Sequence, residues 1–65
     1  MREFILKFNE KYIGTIWAEE LQVKQYGEDK FLNLKTNKEV VFSRLMNDNI
    51  KIIEEGKSTI ITITK

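Results

Sequence analysis

The chain has 65 residues, with 11 basic and 10 acidic side chains for a formal net charge of +1, and it lacks cysteine, histidine and proline. Disulfide staples and ordinary zinc or copper ligation are therefore excluded. The balanced charge also lacks the basic excess of many nucleic-acid binders.

In chain order the hydrophobic residues fall in short runs of period two, the mark of half-buried strands. Phe4-Ile5-Leu6-Lys7-Phe8 predicts a strand over 3–8. A second is expected over 12–17, with Gly14 inside it where a strongly bent strand has use for a residue without Cβ. Leu21-Gln22-Val23-Lys24 predicts a strand over 21–26, and Phe31 to Leu34 one over 31–36. The turn between them, Gly27-Glu28-Asp29-Lys30, would close a hairpin and bring Tyr26 and Phe31 opposite or diagonal on one face. The β-branched and aromatic run Val40-Val41-Phe42 predicts a strand over 39–43, followed by one helical turn near 44–47 that tucks Leu45 or Met46 under the sheet. The last strands are expected over 50–54 and 59–64. The breaks are rich in Gly, Asn and Asp, which suit tight turns, and their brevity points to antiparallel neighbours.

Two segments carry a competing helical signal. Residues 17–26 pair Glu20 with Lys24 at i,i+4 and end on Gly27, a possible C-cap. Thr36-Asn37-Lys38-Glu39 reads as a capping box before 40–46. The expectation is thus one all-β domain spanning 1–65, of five to seven short strands, with α+β as the alternative. In topology alone it resembles a small antiparallel SH3-like or Sm-like barrel, or else a highly curved meander. No sequence motif of those families accompanies the likeness.

The strands carry more large apolar residues than one face can hold. Phe4, Leu6, Phe8, Leu21, Val23, Leu32, Leu34, Val41, Ile50, Ile52, Ile61 and Ile63 make a core face. The opposite parity still holds Ile5, Tyr26, Phe31, Val40, Phe42, Ile53 and Ile60. Soluble monomers seldom expose a large contiguous apolar patch. Ile5, Tyr26, Phe31, Phe42, Ile53 and Ile60 are accordingly the candidate residues for docking another protein chain. The alternative is a nucleic-acid surface in which Trp17 offers a stacking face and Lys24, Lys30 and Lys35 offer phosphate contacts. Ser58 to Lys65 is strongly β-prone and almost uncharged; at a sheet edge it would offer its backbone to the first strand, closing the sheet, or to a second subunit, making a dimer.

Catalytic chemistry has little to work with. No His or Cys is present to activate a nucleophile, and Glu19-Glu20, Glu28-Asp29 and Glu54-Glu55 sit in or beside turns. Asn47-Asp48-Asn49 lacks the spacing of a calcium loop. No catalytic residue, cofactor or metal is expected. No run approaches the roughly 20 apolar residues of a membrane span, and the N-terminus does not read as a signal peptide. The expected location is the cytoplasm. Abundant Lys, Ile, Asn and Glu fit an AT-rich genome, such as that of a low-GC bacterium or its phage.

A domain this small buries only about 60 % of its unfolded surface. With staples and metals excluded, association is the remaining aid to stability. The sequence therefore predicts a non-enzymatic interaction module acting through an apolar patch or strand edge. It would be an inhibitor or small regulatory subunit that binds a protein partner or forms a homo-oligomer.

Overall fold

The computed structural model describes residues 1–46 and 49–64. Among these residues seven strands are present: β1 (Arg2–Phe8), β2 (Lys11–Ala18), β3 (Glu20–Tyr26), β4 (Asp29–Lys35), β5 (Val40–Leu45), β6 (Asn49–Glu55) and β7 (Ser58–Thr64). They form a four-stranded sheet in the order β2-β1-β7-β6 and a three-stranded sheet in the order β3-β4-β5. The strands expected from periodicity are all there, each within about two residues at its ends.

Tight turns build three of the hairpins. Asn9 and Glu10 both take positive φ, 49° and 70°, between the paired residues Phe8 and Lys11. Two-residue hairpin loops of this kind match the right-handed twist of their strands. Gly27 and Gly56 occupy the first loop position of the β3–β4 and β6–β7 hairpins, with φ of 64° and 62°. Gly27 thus opens a hairpin and caps no helix. In the β4–β5 turn the Thr36 hydroxyl accepts from the Lys38 and Glu39 amides at 3.3 and 3.2 Å. This is half of a capping box, but the β-branched run that follows continues as strand.

No helix is present among the described residues, so the α+β alternative does not apply. The helical turn expected near 44–47 is replaced by strand through Arg44 and Leu45 and a turn at Met46, while Asn47 lies outside the described residues. Met46 does pack against the core. Its amide donates to the Lys30 carbonyl at 2.8 Å, which holds the end of β5 against β4.

The pairing is not wholly antiparallel. β1 and β7 lie parallel, with Ile5 beside Ile60 and Leu6 beside Ile61. Parallel neighbours need a long connection, and here nearly the whole chain supplies it. β7 is therefore an interior strand, and the edges fall to β2, β6, β3 and β5. Only Glu19 separates β2 from β3, so one strand bends at Glu19 from the first sheet into the second. Its amide donates to the Lys35 carbonyl at 2.7 Å and ties that corner down. No ladder among the described residues joins the two sheets, so no closed barrel is seen among them.

The sheets share one core. Phe4, Leu6, Ala18, Ile61 and Ile63 of the first sheet and Leu32 and Leu34 of the second are buried. Phe8, Ile16, Leu21, Phe42, Met46 and Ile50 pack around them. The Cα envelope is 33 × 30 × 17 Å, and its short axis suits two sheets stacked about 10 Å apart.

Parity alone misplaces a few members of the core. Val23, Val41 and Ile52 are 51 %, 41 % and 40 % exposed, whereas Phe42 turns inward. At β5 the cause is a bulge: Leu34 pairs with Phe42 but Lys35 pairs with Val40, leaving Val41 as the extra residue. A bulge shifts the inside-outside alternation by one position. A second bulge does the same in β2, where Leu6 pairs with Gly14 and Lys7 with Tyr12, so Ile13 is extra. Gly14 lies beside this bulge, and a Cβ there would meet nothing within 4 Å.

Candidate interaction faces

Each sheet has an outer face, and the candidate residues divide between them. On the four-stranded sheet, the ladders place Thr15, Ile5, Ile60 and Ile53 in one row across β2, β1, β7 and β6. Ile5 and Ile60 are half-buried by their neighbours, and Ile53 at the edge is 46 % exposed. Three of the candidate docking residues are therefore brought together.

The rows on either side are charged. Two residues along the strands toward the start of β1, the row reads Trp17, Glu3, Ser58, Glu55. The Ser58 hydroxyl donates to Glu3 Oε1 at 2.6 Å, so both side chains lie on this face. Two residues the other way, the row reads Tyr12, Lys7, Thr62, Lys51. The Tyr12 and Thr15 hydroxyls are 2.8 Å apart, which puts both on the same side; the bulge at Ile13 permits this i,i+3 contact in a strand. Lys7, Lys51, Ile53, Thr62 and Thr64 line a shallow hollow of about 440 Å³ that Glu10 of the first hairpin also borders. The face is thus banded: acidic, apolar, basic.

The outer face of the three-stranded sheet is different. Lys24 pairs with Phe31 and Tyr26 with Asp29, so Tyr26 and Phe31 are diagonal neighbours. Their rings meet edge-to-face, with centroids 5.7 Å apart and planes at 67°. Such a cross-strand pair stabilises the hairpin by roughly 0.2–1 kcal/mol. Beside it run Gln22, Asn33 and Ser43 in one polar row. Asn33 is buried, and its Oδ1 accepts from the Ser43 hydroxyl at 2.6 Å. Tyr26, Phe31, Asn33, Val40 and Ser43 line an open hollow of about 340 Å³.

Among the other candidates, Phe42 packs inward on the core and contributes to neither outer face. Lys35 pairs with Glu20 on the outer face of the second sheet. Lys30 pairs with Gln25, on the parity of Leu32, at the exposed end of the layer. Trp17 is 56 % exposed, but on the outer face of the other sheet, so it does not share a surface with Lys24 and Lys35.

Sequence reasoning missed the banding. Glu3, Glu55, Lys7 and Lys51 each flank an isoleucine at i±2 in their own strands, a pattern visible in the chain. Their alignment into rows depends on the β1–β7 register, which local pattern does not contain.

Among the described residues no group of three or more carboxylates is placed to hold a metal ion, and no helix is long and apolar enough to cross a membrane. Comparison of the chain with models of protein families, with curated proteins and with solved structures finds no match.

Proposed function

We propose that the protein is a non-enzymatic interaction module whose working surface is the outer face of the four-stranded sheet. The observation that carries this reading is the row Ile5–Ile60–Ile53, an apolar stripe on the side of the sheet away from the core. A sheet with one solvated face ordinarily turns polar residues outward, and this mixed sheet departs from that along the parallel Ile5–Ile60 pair. Covering the stripe with another chain removes apolar area from water, worth about 25 cal/mol per Å² before association costs. The charged rows on both sides would orient the partner. An inhibitor or a small regulatory subunit would need no more machinery than this.

The test is a photo-activatable residue placed at position 53 and, separately, at position 24, each irradiated in the cells that make the protein. Lys24 lies on the outer face of the other sheet. Adducts of defined mass from position 53, with none from 24, are expected. Adducts from 24 alone, or from neither site, would overturn the reading.

The second reading is nucleic-acid binding on the other sheet, favoured by the Tyr26–Phe31 pair with Lys24 opposite Phe31. Bases stack on exposed aromatic rings, and lysines meet phosphates. It predicts a mobility shift of single-stranded oligonucleotides that fades steeply with salt. Loss of that shift in Tyr26→Ala would locate it, and no shift at low salt would dismiss it.

A further inference from the structure

We infer that the partner for the banded face is a second copy of this chain, docked face to face about a twofold axis running along the isoleucine row. This rests on the proposed working surface and deepens it by naming the occupant. A rotation of 180° about an axis that lies in the interface and crosses the strands reverses the direction along the strands. It leaves the position across the strands unchanged. The apolar row of one copy then meets the apolar row of the other, and the acidic row of each meets the basic row of its mate.

The match extends to individual positions. The rows are acidic Trp17–Glu3–Ser58–Glu55 and basic Tyr12–Lys7–Thr62–Lys51, read from β2 to β6 in both. Under the twofold, Glu3 faces Lys7 of the second copy and Glu55 faces its Lys51. Ser58 faces Thr62, and Trp17 faces Tyr12. Each pair occurs twice, as an isologous contact requires. Two carboxylate–ammonium pairs, a hydroxyl pair and an aromatic pair all fall in register. Packed sheets cross at about −30°, which offsets the outer pairs by a few Å. Long Lys and Glu side chains span such an offset. Glu10 lies in the hairpin turn beyond the basic row and outside these pairs.

No other orientation matches as well. A twofold parallel to the strands would set acid against acid and base against base, and like charges brought together disfavour docking. The banding therefore selects one geometry.

The face has the size of a weak dimer. Four strands spaced about 4.8 Å apart, three of seven residues and β2 of eight at about 3.3 Å per residue, give a footprint of roughly 460 Å² per copy. A pair thus buries about 900 Å², below the roughly 1,200–2,000 Å² of stable complexes. A reversible, concentration-dependent dimer is expected.

The experiment is sedimentation equilibrium from low micromolar to 1 mM on the wild type and on two charge-reversal variants, Glu55→Lys and Lys51→Glu. Both positions are exposed on edge strand β6, so the fold does not depend on them. Each variant places like charges opposite one another at two symmetry-related points and should weaken dimerisation at least about tenfold. Mixed in equal amounts, the two variants should pair with each other, because the reversed charge at position 55 of one copy then meets the reversed charge at position 51 of the other. A fold defect would not produce that rescue. Trp17 is the sole tryptophan, so its emission should shift to the red as the wild type is diluted.

A wild type that stays monomeric at 1 mM overturns the self-pairing. So does a dimer indifferent to both reversals, or one that the mixture fails to restore. In those cases adducts to a different chain from position 53 would leave the docking surface standing with another occupant. Absence of adducts as well would remove both.

Discussion

Ile5 of the first strand and Ile60 of the last stand side by side in parallel register, on the outer face of the sheet, while their neighbours Leu6 and Ile61 stand side by side in its core. One ladder thus serves two purposes. Its inner parity joins the two ends of the chain through buried apolar contact. Its outer parity lays down the middle of the stripe that we assign to docking.

This relationship predicts opposite fates for adjacent residues. Ile61 is fully buried, and Ile61→Ala should cost about 2–5 kcal/mol, enough to unfold much of the population of so small a domain. Ile60→Thr keeps the β-branched shape on a face that is only half-buried and should cost under about 1 kcal/mol. Urea denaturation followed by circular dichroism, at low micromolar protein, checks the contrast. Equal losses would mean that both faces are core.

Two glycines should respond differently to a methyl group. Gly56 holds φ of 62° in the β6–β7 turn, where an L side chain is strained, and Gly56→Ala should cost about 1–2 kcal/mol. Gly14 has ordinary φ and open space at its Cβ position. Gly14→Ala should be neutral or stabilise by up to about 1 kcal/mol, through the smaller entropy of the unfolded chain. Thermal melts of the two variants decide it.

The Asn33–Ser43 hydrogen bond makes a third case. Asn33 is buried, and removing the Ser43 hydroxyl leaves its Oδ1 without that donor. Ser43→Ala should cost about 1–3 kcal/mol. Glu54→Gln, which weakens the exposed Arg2–Glu54 pair at 3.1 Å, should cost no more than about 1 kcal/mol. Denaturation midpoints of the two variants, compared at equal m-value, give the check.

Much of this protein is legible from its residues taken locally. Period-two patterning locates most of the strands, because side-chain alternation is a property of a single strand and needs no partner, and the β-branched run Val40-Val41-Phe42 locates β5. The turns are equally local: Gly27 and Gly56 mark positions of positive φ that glycine adopts without cost. The Tyr26–Phe31 contact follows from hairpin closure alone. Even the surplus of apolar residues on the second parity could be counted before any pairing was known.

Tertiary structure decided the rest. Val41 and Ile13 lie in bulges, so the parity of β5 and β2 changes midway, and Phe42 packs inward while Val41 faces out. A bulge is an agreement between two strands and is invisible in either one. Ala18 is fully buried because the chain turns there from one sheet into the other, a position that no hydrophobic pattern marks. The separation of Trp17 from Lys24 and Lys35 likewise follows from that corner at Glu19. Above all, the acidic, apolar and basic bands exist only because β1 meets β7 in a particular register. Pairing of the last strand with the first is one of two expectations from the sequence, but its parallel direction and the register that sets Ile5 beside Ile60 are contained in neither strand alone.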